Sequence, residues 1–131
     1  MGEASSALVL LRDGDGYWWQ RRAWSDDSYP GRLDFAAGGG MEVGESPLQA
    51  ARRELDEELG VSGLALRALG EWTLDKERCA LFEAPLPTSW RLGEEVEALL
   101  RLSLAELAAW PAHDLHPQLA DWLGKRGEPS A

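Results

Sequence analysis

Two apolar stretches open the chain, residues 7–11 and 17–21, with Asp13-Gly-Asp-Gly16 between them. Apolar runs on either side of glycine and aspartate predict a β-hairpin. The same four residues also resemble the start of a calcium loop, but Tyr17-Trp-Trp follows where further ligands would be needed, so the turn reading stands. Residues 23–44 lack periodicity apart from a short strand expected at 33–36, and Tyr29-Pro30-Gly31 marks a turn. A loop of that length inside a small domain is usually functional.

The pattern then changes to a helical period over residues 46–59. Ser46 is placed to cap, Pro47 suits the first helical position, and Gln49 completes a capping box. Gly60 stands where a left-handed C-terminal residue is expected. At 100° per residue, Leu48, Ala51, Leu55 and Leu59 form one apolar stripe, with Glu54, Glu57 and Glu58 on a neighbouring face. Further on, residues 64–69, 71–74, 79–84 and 98–102 read as strands. Ser103-Leu-Ala-Glu106 is a second capping box, opening a short helix that Pro111 ends. A terminal helix over 117–123 is expected to stop at Gly124. Interleaved strands and helices predict an α/β layered fold. The polar ends, residues 1–6 and 125–131, are expected to fray.

Composition narrows the function classes. The 131 residues suit a single domain over 1–131, and 44% hydrophobic with 27% charged residues is an ordinary soluble composition. A net charge of −10 argues against a nucleic-acid groove, which needs a basic stripe. It does not argue against a small anionic substrate held through metal ions. The lone cysteine, Cys79, forms no intrachain disulfide, which suits a reducing compartment. The run at 7–11 is too short for a signal segment, and no stretch is long enough to span a membrane. A cytoplasmic location is expected.

The chemistry gathers on the helix. Glu54 with Glu58, and Glu54 with Glu57, are surface neighbours at i,i+4 and i,i+3, so their charges repel unless a cation lies there. Mg²⁺ or Mn²⁺ prefers such hard oxygen ligands and is able to bridge to substrate phosphates. The whole run from 39 to 61 resembles the Nudix box, G-x5-E-x7-R-E-U-x-E-E-x-G-U with U aliphatic. Gly39, Glu45, Arg53-Glu54-Leu55, Glu57-Glu58, Gly60 and Val61 fill every fixed position. The resemblance implies an α/β/α sandwich around a mixed sheet and a pyrophosphohydrolase acting by water attack on a diphosphate. The substrate class it implies is a nucleoside diphosphate derivative or a nucleoside triphosphate. It implies metal binding by Glu54, Glu57, Glu58 and the Gly39 backbone, orientation of the carboxylates by Arg53, and support of Arg53 by Glu45. It also implies a further acid outside the box, for which Glu94, Glu95 and Glu97 are at hand, Glu95 and Glu97 ranking equally. Members of the family are often homodimers, and the partners expected here are small diphosphates.

Upstream, Arg21-Arg22, Tyr29-Pro-Gly-Arg-Leu-Asp34 and Ala37-Gly-Gly39 are similar to the branch that includes isopentenyl diphosphate isomerase. Those isomerases use a cysteine ahead of the box, and here the only cysteine follows it. A hydrolase is therefore expected, with a non-catalytic nucleotide-binding module and an isomerase as alternatives. Arg21, Arg22 and Arg32 are open to two readings: contact with substrate phosphates, or surface pairing with Asp26, Asp27 or Asp34. Trp18, Trp24, Trp72 and Trp90 either stack on a base or fill core. His113 and His116 either form a metal pair or begin the terminal helix.

Overall fold

The computed structural model describes residues 3–126. In chain order the elements are β1 (Ser6–Asp13), β2 (Gly16–Arg22), β3 (Leu33–Asp34), β4 (Ala37–Gly40) and α1 (Pro47–Leu59). There follow β5 (Arg67–Leu74), β6 (Glu77–Pro85), β7 (Val96–Leu102), α2 (Leu104–Ala108), a 3₁₀ turn (Ala112–Asp114) and α3 (Pro117–Lys125). The expected fraying therefore does not extend to Ser6 or Lys125, which belong to β1 and α3. Met1, Gly2 and residues 127–131 lie outside the described residues.

β1 is the centre of a mixed sheet. Along one edge it pairs in parallel with β6, from Ser6 to Arg12. Its other edge is shared: β4 pairs antiparallel with Ser6–Val9, and β2 with Leu11–Asp13. β2 carries β7 on its far side and β3 beyond its own junction with β1. β5 closes the sheet against β6.

Alternation along β1 divides the interior into two cores. Ala7, Val9 and Leu11 face α1, together with Ala80, Phe82 and Ala84 of β6. Leu8 and Leu10 face the other way, with Cys79 and Leu81, and are covered by Leu107 of α2 and Leu119 and Trp122 of α3. Trp19 and Phe35 fill that second core, their rings 6.5 Å apart. The expected α/β/α sandwich is thus observed.

Several expectations need correction. The predicted strands 64–69 and 71–74 are one strand, β5, with an irregularity between Ala68 and Gly70. Leu64 and Leu66 pack on the α1-side core without joining the sheet. The glycine-rich segment is not a loop: residues 37–40 form β4, and the expected strand at 33–36 shrinks to Leu33–Asp34. α3 runs through Gly124 to Lys125, because the helix is held by docking of Leu119 and Trp122 rather than ended by local propensity.

Candidate active site

α1 begins and ends as its sequence predicts. The Ser46 hydroxyl accepts from the Gln49 backbone N–H at 3.1 Å, and the Gln49 side chain accepts from the Ser46 N–H at 2.8 Å. Gly60 adopts φ 64°, ψ 28°, and its N–H donates to Asp56. The buried arc, however, is rotated from the predicted stripe. Leu48 is 38% exposed, while Ala50, Ala51, Glu54, Leu55, Glu58 and Leu59 are buried. The row 50–54–58 thus turns inward, toward β4, and takes two carboxylates with it.

β4 makes that approach possible. A Cβ built on Gly39 would collide with Oε2 of Glu54, so only glycine leaves room for the carboxylate against this strand. Because the colliding atom ends a flexible side chain, Gly39→Ala is expected to fold. Its thermal melt should stay within a few degrees of the parent, while Glu54 is expelled and turnover falls by roughly a hundredfold or more. Circular dichroism and a rate assay check the two halves separately.

Glu58 accepts from two donors, one of them itself anchored to the backbone. Gln20 Nε2 donates to its Oε1 at 2.9 Å and also to the Ala36 carbonyl, and the Gly38 N–H reaches Oε1 at 3.3 Å. Even so, burial pushes the Glu58 carboxyl up to about 8, opposed by Gln20 and reinforced by the charges of Glu54 and Asp34. Burial likewise raises Glu54 to about 7, against the pull of Arg53 and with repulsion from Glu57 and Glu95 adding to it. Two desolvated carboxylates this reluctant to ionise are a fitting donor set for a hard divalent cation. Among the described residues, no three acidic, thiol or imidazole groups converge into a preformed cage.

Glu57 differs from this buried pair. Its side chain is largely exposed and pairs with Arg53 at 3.3 Å. Arg53 also donates to Glu45 through Nε at 2.7 Å and through Nη2 at 3.1 Å, and to the Gly40 carbonyl at 3.0 Å. That fork ties the segment before α1 to β4, and it holds the Glu45 carboxyl below the usual range. Nη1 of Arg53 lies 3.3 Å from Glu54.

Glu95 arrives from the other side. The Gly93 N–H donates to the Glu58 carbonyl at 2.8 Å, and the Glu95 carbonyl accepts from Ala23 at 3.0 Å. This places Glu95 on the wall of the main cleft beside Glu54 and Glu58, and with Glu94 on an adjoining hollow bordered by Glu57 and Glu58. Glu97 is not part of either: it sits at the irregularity where β7 shifts register on β2, and is exposed. Of the two residues ranked equally, Glu95 thus lies on the cleft wall and Glu97 on the bulge outside it.

The family model of the NUDIX domain matches residues 2–123. The chain belongs to the Nudix family. It is 40% identical over 80 residues to a Nudix hydrolase of Yersinia pestis, covering 60% of this chain and 44% of that protein. It is 39% identical over 100 residues to one of Pseudomonas aeruginosa, covering 73% and 59%. The chain thus spans about half the length of the curated relatives it matches. A crystal structure from Deinococcus radiodurans superposes with a TM-score of 0.85 at 25% identity, over 94% of this chain and 82% of that one. A MutT protein of Methanosarcina mazei shares the fold at a TM-score of 0.72 and 18% identity.

In this Nudix domain the main cleft has a volume of about 470 Å³. Of the three upstream arginines only Arg22 lines it, and Arg22 is already paired with Asp26 and Asp34, each at 3.1 Å. Arg21 instead donates to the Gly31 carbonyl at 2.6 Å, and Arg32 to that of Leu115 at 3.4 Å. The four tryptophans considered for stacking lie outside the cleft: Trp72 is core, Trp18 packs on Trp90, and Trp24 is exposed. His116 caps α3, with Nδ1 accepting from the Gln118 N–H, and His113 is exposed, 3.7 Å from Asp114.

Gln20 was not expected as a site residue. Nothing in a strand pattern distinguishes a glutamine aimed at a carboxylate from one aimed at solvent. Gln20→Leu removes the donor to Glu58, and partners of this kind usually matter 10–100-fold to a metal site. A weakening of Mn²⁺ binding by about that factor, measured by electron paramagnetic resonance, is expected.

Proposed function

We propose that this Nudix domain is a Mg²⁺- or Mn²⁺-dependent pyrophosphohydrolase, cleaving the diphosphate linkage of a nucleoside diphosphate derivative or a nucleoside triphosphate. The observation that carries this reading is the pair of buried carboxylates, Glu54 and Glu58, set against Gly38 and Gly39 in an open cleft. Glu54, Glu57, Glu58 and the Gly39 backbone would hold the ion. Once bound, such an ion neutralises carboxylate and phosphoryl charge and acidifies water.

The remaining roles belong to side chains. Arg53 orients Glu54 and Glu57, and Glu45 fixes Arg53 from behind. Glu95, reaching the cleft from outside the box, is suited to accept a proton from the attacking water. The water oxygen bonds to phosphorus as the bridging P–O bond breaks, and the charge leaves on the bridging oxygen. Arg22 meets a phosphate by exchanging one of its aspartate partners.

Small diphosphates, rather than a nucleic-acid polymer, suit a chain of charge −10. Among the described residues no helix is long and apolar enough to cross a membrane. A reducing, cytoplasmic setting suits the single thiol. The isomerase reading is disfavoured by the position of that thiol: Cys79 is fully buried in the core on the α3 side, and burial pushes it up to about 12. A panel of nucleoside diphosphate derivatives and triphosphates with Mg²⁺ tests the proposal. Release of phosphate-bearing products from at least one substrate is expected. Saturable binding without turnover of any would favour the non-catalytic module, and allylic product without hydrolysis the isomerase.

A further inference from the structure

The segment before β7, residues 91–95, carries Glu95 and is fastened to the end of the helix that carries Glu54 and Glu58. We propose that Gly93 is the positioning residue of this contact. By letting the segment lie backbone on backbone against the last turn of α1, it sets how far Glu95 stands from Glu54 and Glu58. This rests on the pyrophosphohydrolase reading, in which Glu95 takes a proton from the attacking water, and adds the residue that places it.

The last carbonyls of a helix have no partner within it. In α1 the Gly60 and Val61 N–H groups return to the Asp56 and Leu55 carbonyls at 3.0 and 3.3 Å. Those of Glu58 and Leu59 are satisfied from outside the helix. Glu58 accepts from the Gly93 N–H at 2.8 Å, and Leu59 from the Arg91 N–H at 2.7 Å. The chain then turns at once: the Val96 N–H donates to the Gly93 carbonyl at 3.1 Å, and Val96 is buried in the core on the α1 side. Glu94 and Glu95 stand within that turn, and the Glu95 carbonyl is tied to the Ala23 N–H. With both ends of the turn fixed, the position of Glu95 follows from that of Gly93.

The contact leaves no room for a side chain. A Cβ built on Gly93 would lie 2.6 Å from the Glu57 carbonyl oxygen and 3.2 Å from that of Glu58. The Gly93 backbone is outside the left-handed region, so glycine is required here by space and not by conformation. Gly39 differs, because there the obstructing atom ends a flexible side chain. A carbonyl within a helix does not swing aside. α1 is also the partner less able to yield, since Leu55 and Leu59 are buried in the core and its first turn is capped. Arg91 and Leu92, by contrast, are exposed. An added methyl group therefore moves the segment, lengthens the bond from Gly93 to Glu58 and displaces Glu95. A displacement of about half an ångström or more is enough to disturb proton transfer from a positioned water.

The test measures kcat and KM with Mg²⁺ for Gly93→Ala, Glu95→Gln and the double variant, on whichever compound of the panel is hydrolysed. Gly93→Ala should lower kcat roughly tenfold to a hundredfold, with KM within about twofold of the parent. Glu95→Gln should lower kcat by on the order of 10²–10⁴. Adding Gly93→Ala to Glu95→Gln should change little further, because the methyl group acts through a carboxylate already removed. A merely structural role predicts the same factor in both backgrounds. That result, an unchanged kcat in Gly93→Ala, or a loss confined to KM would overturn the assignment. Amide hydrogen exchange in the metal-free protein reads the displacement independently. Residues 91 and 93 should exchange faster in Gly93→Ala, while the interior of α1 stays as protected as in the parent. If no compound is hydrolysed, the hydrolase reading falls, and exchange still decides whether Gly93 holds the segment: faster exchange supports it and unchanged exchange removes it. Should Gly93→Ala fail to fold, exchange in the parent decides. Protection of residues 91 and 93 together with Gly60 and Val61 supports the docking, and free exchange overturns it.

Discussion

Glu58→Gln is expected to lower the hydrolysis rate by about a thousandfold, several kcal/mol of transition-state stabilisation, while leaving the metal-free protein folded and no less stable. The asymmetry follows from what surrounds the side chain. The Gln20 and Gly38 donors both point at one oxygen, Oε1, and a glutamine carbonyl accepts from them equally well. What is lost is the charge. Burial has already raised the Glu58 carboxyl to about 8, so at neutral pH without metal the native group is mostly protonated, and glutamine imitates that form. A divalent cation requires the ionised form, which glutamine lacks. A parallel loss of stability and activity would mean that Glu58 is structural; unchanged activity would remove it from the site. Thermal melts in chelator beside initial rates in Mg²⁺ make the distinction.

In the absence of divalent metal, stability is expected to fall as pH rises from about 5 to 9. Glu54 and Glu58 have folded pKa values of about 7 and 8 against an ordinary 4.5. The folded state therefore binds more protons than the unfolded state in this window, and stability declines with pH. The contribution is complete below about 4.5 and is lost as pH passes through the folded values. At roughly 1.4 kcal/mol per unit, Glu58 alone is worth on the order of 3–5 kcal/mol. His116, lowered by burial, works in the opposite sense by favouring folding as pH rises through its own range. Glu45, Glu77, Asp13 and Asp121 are held low, so their contributions disappear only under acid conditions. The double variant Glu54→Gln, Glu58→Gln should flatten the slope between pH 5 and 9 and isolate the pair from His116. Mg²⁺ should raise the melting temperature of the parent, more at pH 8 than at pH 5, and leave the double variant nearly unmoved. A parent melting temperature that rises through this window in chelator would contradict the buried-carboxylate picture.

Local chemistry made α1 readable. Its caps are side chains within three residues of the atoms they satisfy, and the spacing of Glu54, Glu57 and Glu58 is a property of any helix. Which way the helix turns its faces is not local. Leu48 reads as core, yet it is displaced by the row 50–54–58 because Gly39 in β4 lets Glu54 of that row approach. The glycines themselves read as loop, since a strand without side chains leaves no alternating pattern. The β5–β6 hairpin was hidden for a related reason. Its turn residues, Asp75 and Lys76, both adopt positive φ, at 48° and 71°. There the Asp75 N–H donates to Asp121 of α3 at 2.9 Å, and Lys125 Nζ reaches the Thr73 carbonyl at 3.0 Å. Contacts from 46 and 52 residues away stabilise a turn that its own residues do not advertise. Glu95 and Glu97 were indistinguishable in sequence because their difference is a register shift between β7 and β2, visible only once the strands pair.

The placement of Glu54 and Glu58 as the centre of a metal-assisted attack by water is tested most directly by hydrolysis in ¹⁸O-labelled water with Mg²⁺, followed by mass spectrometry of the phosphate products. One labelled oxygen per cleavage is expected on a phosphoryl group, with turnover stopped by chelator and restored by Mn²⁺. Cleavage that leaves every phosphate unlabelled, or that continues undiminished in chelator, would contradict it.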